Sequence, residues 1–143
     1  MNPMRRTEER LRHAAGVAQI LDAAYDAFED MLLAIRACED PASGSFAAFM
    51  MAAASAADGR DAIMFAPSLP PCRGIGAPAA HDEVQAGESA ESIADAVTGL
   101  SRLLVTRLLQ ARESSSDPGD RDACADAVCS AETIHGLLGG GAP

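Results

Sequence analysis

The chain is expected to be all-α: a four-helix up-down-up-down bundle with a long Pro- and Gly-rich connection between its second and third helices. Three observations lead there. Apolar residues make up 48% of the 143 residues but aromatics only 3%, so the core has to be assembled from small and aliphatic side chains. Ala, the best helix former, is the commonest of them. No run of alternating β-branched or aromatic residues offers a strand. Finally, Leu11, Ala14, Ala18, Leu21, Tyr25, Phe28, Leu32 and Ile35 recur at alternating spacings of three and four, the heptad pattern of a helix with a continuous apolar seam.

That first helix is expected over 7–39. A second row, Val17, Ala24, Met31 and Cys38, widens the stripe beyond a two-stranded seam and calls for more than one neighbouring helix. Thr7 can cap the turn that carries Glu8 and Glu9, with Asn2 and Pro3 as an earlier start. The helix must stop by Glu39, because Asp40 precedes Pro41 and is pushed out of helical dihedrals. About 30 residues at 1.5 Å each give a rod of about 45 Å. Ile20 and Leu33, and Met51 farther on, fall outside the main seam and leave room for a homodimer.

Pro41 to Gly44 form a short turn, and Ser45 is placed to cap a second helix over 45–65 with Phe46, Phe49, Met50, Ala53, Ala57, Ile63 and Met64 on its apolar side. A short connection makes the two helices antiparallel. The register of Ile63 and Met64 carries the helix through Gly59, at a cost of about 1 kcal/mol relative to Ala. Pro67, Pro70 and Pro71 end it. The connection, 66–81, is long for a compact domain; its Pro67-Ser68-Leu69-Pro70 is a PxxP, read as a crossover linker or a partner-binding peptide.

The third helix is expected over 82–112, with Gly87 marking a bend or late start. It has Ala90, Ile93, Val97, Leu100, Leu104 and Leu108 inward and Ser92 with Asp95 as a capping box. The fourth spans 118–138. Asp117 is its cap and Pro118 its first residue, with Asp120 three residues after the cap completing a second capping-box-like pair, and the glycine run from Gly139 stops it. Its seam is Cys124, Val128, Ala131, His135 and Leu138. The whole of 1–143 reads as a single domain.

The charge narrows the function. Eleven Arg and no Lys stand against 21 acidic residues, a net charge of −10, which repels phosphate backbones and anionic membrane surfaces. With no Trp and one Tyr there is no stacking platform for single strands. Arg5, Arg6, Arg10 and Arg12, interleaved with Glu8 and Glu9, read as a solvated helix end. No apolar run reaches the ~20 residues of a membrane span, and no apolar core follows the N-terminal arginines as in a signal peptide. A cytoplasmic protein with reduced thiols is expected.

Three constellations bear on chemistry. Glu132-Thr133-Ile134-His135 is an E-x-x-H, whose spacing puts a carboxylate and an imidazole on one helix face. Di-metal bundles use such a pair from each of two helices, whereas here there is a single copy. His135 is therefore expected as a buried, hydrogen-bonded residue, with Glu132 and His135 as metal or haem ligands in the alternative. Tyr25, Arg60, Arg107 and His135 fall at or beside seams and are the candidates for lining an internal polar pocket. Cys124 and Cys129, five apart, lie on nearly opposite sides of a helix and cannot share a metal or a disulfide. Cys124 and Cys38 read as core thiols, Cys129 and Cys72 as surface ones. No nucleophile–base–acid set, phosphate-cradling glycine loop or cofactor motif is present, and no cofactor is expected. The reading is a small acidic, non-catalytic binding or protein-interaction module that meets a protein partner or a second copy of itself. The alternatives are a metal or haem oxidoreductase built on Glu132 and His135, and a bundle that binds a small apolar ligand.

Overall fold

The computed structural model describes residues 3–38, 44–70 and 89–139, and among them the protein is all-helical, with five helices: α1 (Pro3–His13), α2 (Gly16–Ala37), α3 (Phe46–Met64), α4 (Ala90–Ser114) and α5 (Pro118–Leu138). The four long helices touch in the cyclic order α2, α3, α5, α4, and α1 packs against α2 and α4. The expected four-helix count is thus corrected to five, because the first rod is two helices.

The break falls at Ala14 and Ala15. Ala15 is extended (φ −115°, ψ 122°) and Gly16 has φ +85°, a backbone conformation that an L side chain resists. A Cβ on Gly16 would meet nothing within 4 Å, so glycine is needed there for its dihedral and not for space. The chain reverses at this point. Thr7 donates to Asp30 Oδ2, and Arg10 pairs with Asp26 at 2.5 Å and Asp22 at 3.2 Å, so α1 runs back antiparallel along α2. Arg107 of α4 donates to the carbonyls of Leu11 (3.1 Å) and Ala14, which satisfies groups left open at the end of α1. The Ala15 amide donates to Gln19 Oε1 at 2.9 Å. Thr7 is consequently a buried mid-helix residue and not a cap, and the start is the earlier one at Pro3.

Reversal also rotates the apolar stripe. Leu11, Leu21, Phe28, Leu32 and Ile35 are buried as the seam requires, but Ala18 is exposed, while Ile20, Ala27 and Ala34 are buried. Ile20 is therefore core, and Leu33 is half-buried. The second row holds at Ala24 and Met31 and is half-buried at Val17 and Cys38.

α3 is continuous through Gly59, and the reason is packing. The Phe28 ring lies so close that a Cβ at Gly59 would sit 2.5 Å from it. Both residues are buried. Ser45 stands at the N-cap position of α3 without a side-chain cap bond. The α4 cap is Ser89, which accepts from the Ser92 amide at 3.0 Å, so Ser92 belongs to the first turn and is not the cap. Asp117 caps α5, accepting from Gly119 N at 2.7 Å, with Pro118 as first residue. The expected turn at 39–43, the start of the third helix before Ser89, Gly87 and the connection beyond Pro70 lie outside the described residues.

Candidate functional site

The four residues proposed for an internal polar pocket are distributed over three places. Tyr25 and Arg60 share one, on the α2–α3 seam. Arg60 reaches across to Glu29 at 2.6 Å and along its own helix to Asp61 at 3.2 Å. Its guanidinium is held charged above its ordinary range chiefly by the hydrogen bond to Glu29. The phenol of Tyr25 titrates above its ordinary value, first because burial penalises the phenolate and then because Glu29 is near, with Arg60 opposing. The group is a cross-helix clamp with a quarter of the Arg60 side chain exposed, and such a pair fixes the register of two helices more than it adds stability.

Arg107 sits elsewhere, at the α1–α2 reversal. Besides the two carbonyls it donates to Gln110 Oε1 at 2.5 Å. An open depression of about 340 Å³ lies at the same reversal, lined by Arg10, His13, Ala14, Gln19, Asp22 and Ala23. His135 is in a third place, half-buried, with its Nε2 3.4 Å from Arg102 of α4. It is not the inward residue its seam position suggested. Ile134 is fully buried in that role, and the inward stripe of α5 runs through Asp120, Ala123, Cys124, Ala127, Val128 and Ala131. Glu132 is exposed, and among the described residues no three His, Cys, Asp or Glu side chains gather as a metal set would require.

Of the described cysteines, Cys124 and Cys129 fall as expected, and Cys38, expected in the core, lies at its edge. Cys124 is fully buried and Cys129 exposed, while Cys38 is half-buried. Burial, with Asp120 adding to it, pushes the Cys124 thiol up to about 11, so it stays protonated and unreactive at neutral pH.

Two features escaped the sequence reading. Asp120, expected in a capping box, is 2% exposed and instead accepts from the Ser68 amide at 2.9 Å and the Ser68 hydroxyl at 2.5 Å. The PxxP is thus tied at Ser68 to the first turn of α5, with Leu69 half-buried against the core. The signal was weak, since one motif offered the aspartate a nearer partner.

The second is the outward face of α3. At 3.6 residues per turn, Ala47, Met50, Met51, Ala54, Asp58, Asp61, Met64 and Phe65 fall on one side of the helix, and all are exposed. Phe65 is 82% exposed, Met51 58%, Met50 49% and Met64 48%. Met50 and Met64 were expected on the inner side, yet Ala52, Ala53, Ala56 and Gly59 take the interior together with Phe49 and Ile63. The sequence held a signal: Met50 and Met51 are adjacent, about 100° apart on the helix, and α3 has more apolar residues than one inner stripe can take. A further open depression, about 490 Å³, lies at the α4–α5 turn between Leu109, Arg112, Glu113, Ser115 and Arg121.

No described helix is long and apolar enough to cross a membrane. Comparison with known protein families, curated proteins and solved structures finds no match for the chain.

Proposed function

We propose that this chain is an acidic, non-catalytic helical interaction module that associates with protein through the outer face of α3. One observation carries the reading: three methionines and a phenylalanine stand exposed on one side of α3, in a pair at each end of the helix. Large apolar side chains left exposed in pairs are a feature of association surfaces, and unbranched, polarizable methionine is over-used on them. The candidate polar residues add to this reading by what they already do. Arg60 is engaged by Glu29 and Asp61, Arg107 by the α1 terminus, and His135 stands beside Arg102, so each supports the scaffold that presents α3.

The test is site-specific photocrosslinking in cells that make the protein, with the probe at position 51 or 65 and a control probe at exposed Gln110 on α4. The reading expects discrete protein adducts from the α3 positions and none from the control. Equal labelling from both faces, or no adduct from either α3 position, would discard it.

A further inference from the structure

We infer that α1 is an exchangeable arm: when the Ala14–Gly16 turn straightens into helix, α1 and α2 become one rod, and α1 docks in the α2–α4 groove of a second copy of this chain. The occupant is identified by what fills that groove in the closed chain, which is α1 itself. The outer face of α3 takes no part in the exchange.

The turn is made of residues that suit a helix as well as a reversal. Leu11, Ala14, Ala18 and Leu21 keep heptad spacing straight across it, a register that a continuous rod uses and a reversal does not need. No proline blocks the passage: His13 and Val17 are joined by Ala14, Ala15 and Gly16, and alanine is the best helix former. The turn is kept closed by Gly16 at φ +85° and by ties from outside it. Arg107 holds the carbonyls of Leu11 and Ala14, and Gln19 holds the amide of Ala15. In a continuous helix the Leu11 carbonyl accepts from the Ala15 amide and the Ala14 carbonyl from the Ala18 amide, four residues on. These backbone groups therefore keep a partner when the turn opens.

Opening alone uncovers Met4, Thr7 and Leu11, all buried in the closed chain, and the acidic side of α2. A second open copy covers both at once, because each copy then offers an empty groove and a free arm that fits it. Charge favours this docking even though each whole chain carries −10. The arm α1 has four Arg against two Glu, whereas α2 has four carboxylates against one Arg. The pairs of Arg10 with Asp22 and Asp26, and of Thr7 with Asp30, re-form between the chains. Those contacts are centred on 16–19, so the two rods cross antiparallel there, and nothing in 14–19 is bulkier than Val17 and Gln19. A short hinge invites exchange of this kind, which is a low-cost route to a two-fold dimer.

Gly16→Ala is the probe, since an L side chain resists the closed turn's dihedral, suits the open helix and meets nothing within 4 Å. Full chains under reducing conditions are unfolded in urea, refolded at about 10 μM and about 1 mM, and sized by sedimentation velocity. The parent should give mostly monomer, with a minor dimer at the higher concentration. Gly16→Ala should raise the dimer fraction several-fold, and Arg107→Ala should raise it too, circular dichroism showing each variant folded. With isotopically mixed chains, a photocrosslinker in place of Arg10 should join the dimer of Gly16→Ala through the Asp22–Asp26 peptide of the other copy. A folded Gly16→Ala that stays monomeric at both concentrations overturns the inference, as does a dimer whose position-10 adducts stay within one chain. If Gly16→Ala does not fold, a short glycine insertion after Ala15 in the parent decides. Loss of the parent's refolding dimer on insertion upholds exchange; a dimer that survives it, or a parent that forms none, overturns it.

Discussion

The two sides of α3 are built by opposite rules. The inner side is made small, with Ala52, Ala53, Ala56 and Gly59 buried, so that a large residue of another helix, Phe28, can lie on its backbone. The outer side is made large, with Met50, Met51, Met64 and Phe65 exposed among the described residues. In a core, volume is contributed by whichever helix has room to give it. The large apolar residues left outside are the ones the proposed association uses.

The strongest way to break this comparison is Gly59→Ala. Alanine is the better helix former by about 1 kcal/mol, so on an open face the change would stabilise. Against the Phe28 ring it should instead cost about 1–3 kcal/mol by overpacking, read by urea unfolding, and Phe28→Leu should recover part of that loss in the double variant. Next comes the tie that holds the chain as it leaves α3. Asp120→Ala leaves the Ser68 amide and hydroxyl without their acceptor and should cost about 1–3 kcal/mol. Its amide exchange should rise first in 66–70.

Arg60→Ala removes the clamp at the border of the two faces and should cost about 1 kcal/mol or less, since the pair with Glu29 is partly exposed and screened. Thiol chemistry sharpens the inside–outside division. In a Cys72→Ser background a disulfide reagent should modify Cys129 readily at pH 8 and leave Cys124 unmodified until the protein unfolds. Because the folded thiol of Cys124 is raised to about 11 from 9.0, its contribution to stability is complete below pH 9 and is lost as pH rises toward 11. Cys124→Ala should remove that part of the alkaline decline. The smallest effect belongs to the outer face: Met51→Gln should change stability by no more than about 0.5 kcal/mol.

Much of the scaffold was legible because periodicity and punctuation are local. The inward row of α4 from Ile93 to Leu108, the Asp117-Pro118 start of α5 and the passage of α3 through Gly59 could each be read from residues a few positions apart, while Ala90, expected inward, is exposed at the first turn of α4. The break at Ala14–Gly16 could not. Leu11 satisfies a seam whether the rod continues or turns back, and the choice is made by Arg107, Asp22 and Asp26, distant in sequence and ready to receive the reversed helix. Ile134 and His135 are a single step apart, so the rotation of α5 decided which of them is core. The outer face of α3 was half visible: Met51 was placed outside the seam, while Met50 and Met64 were assigned inward because a sequence does not state that an interior is already filled by alanine.

The central claim is that α3 divides into a face for folding and a face for association. Its most direct test is the double variant Met51→Asp with Phe65→Asp, measured by thermal unfolding and, in cells, by the protein adducts of a photocrosslinker at position 50. The account predicts a melting temperature within a few degrees of the parent protein together with loss of the adducts. A large fall in melting temperature would place those side chains in the core and contradict it, and so would unchanged adducts.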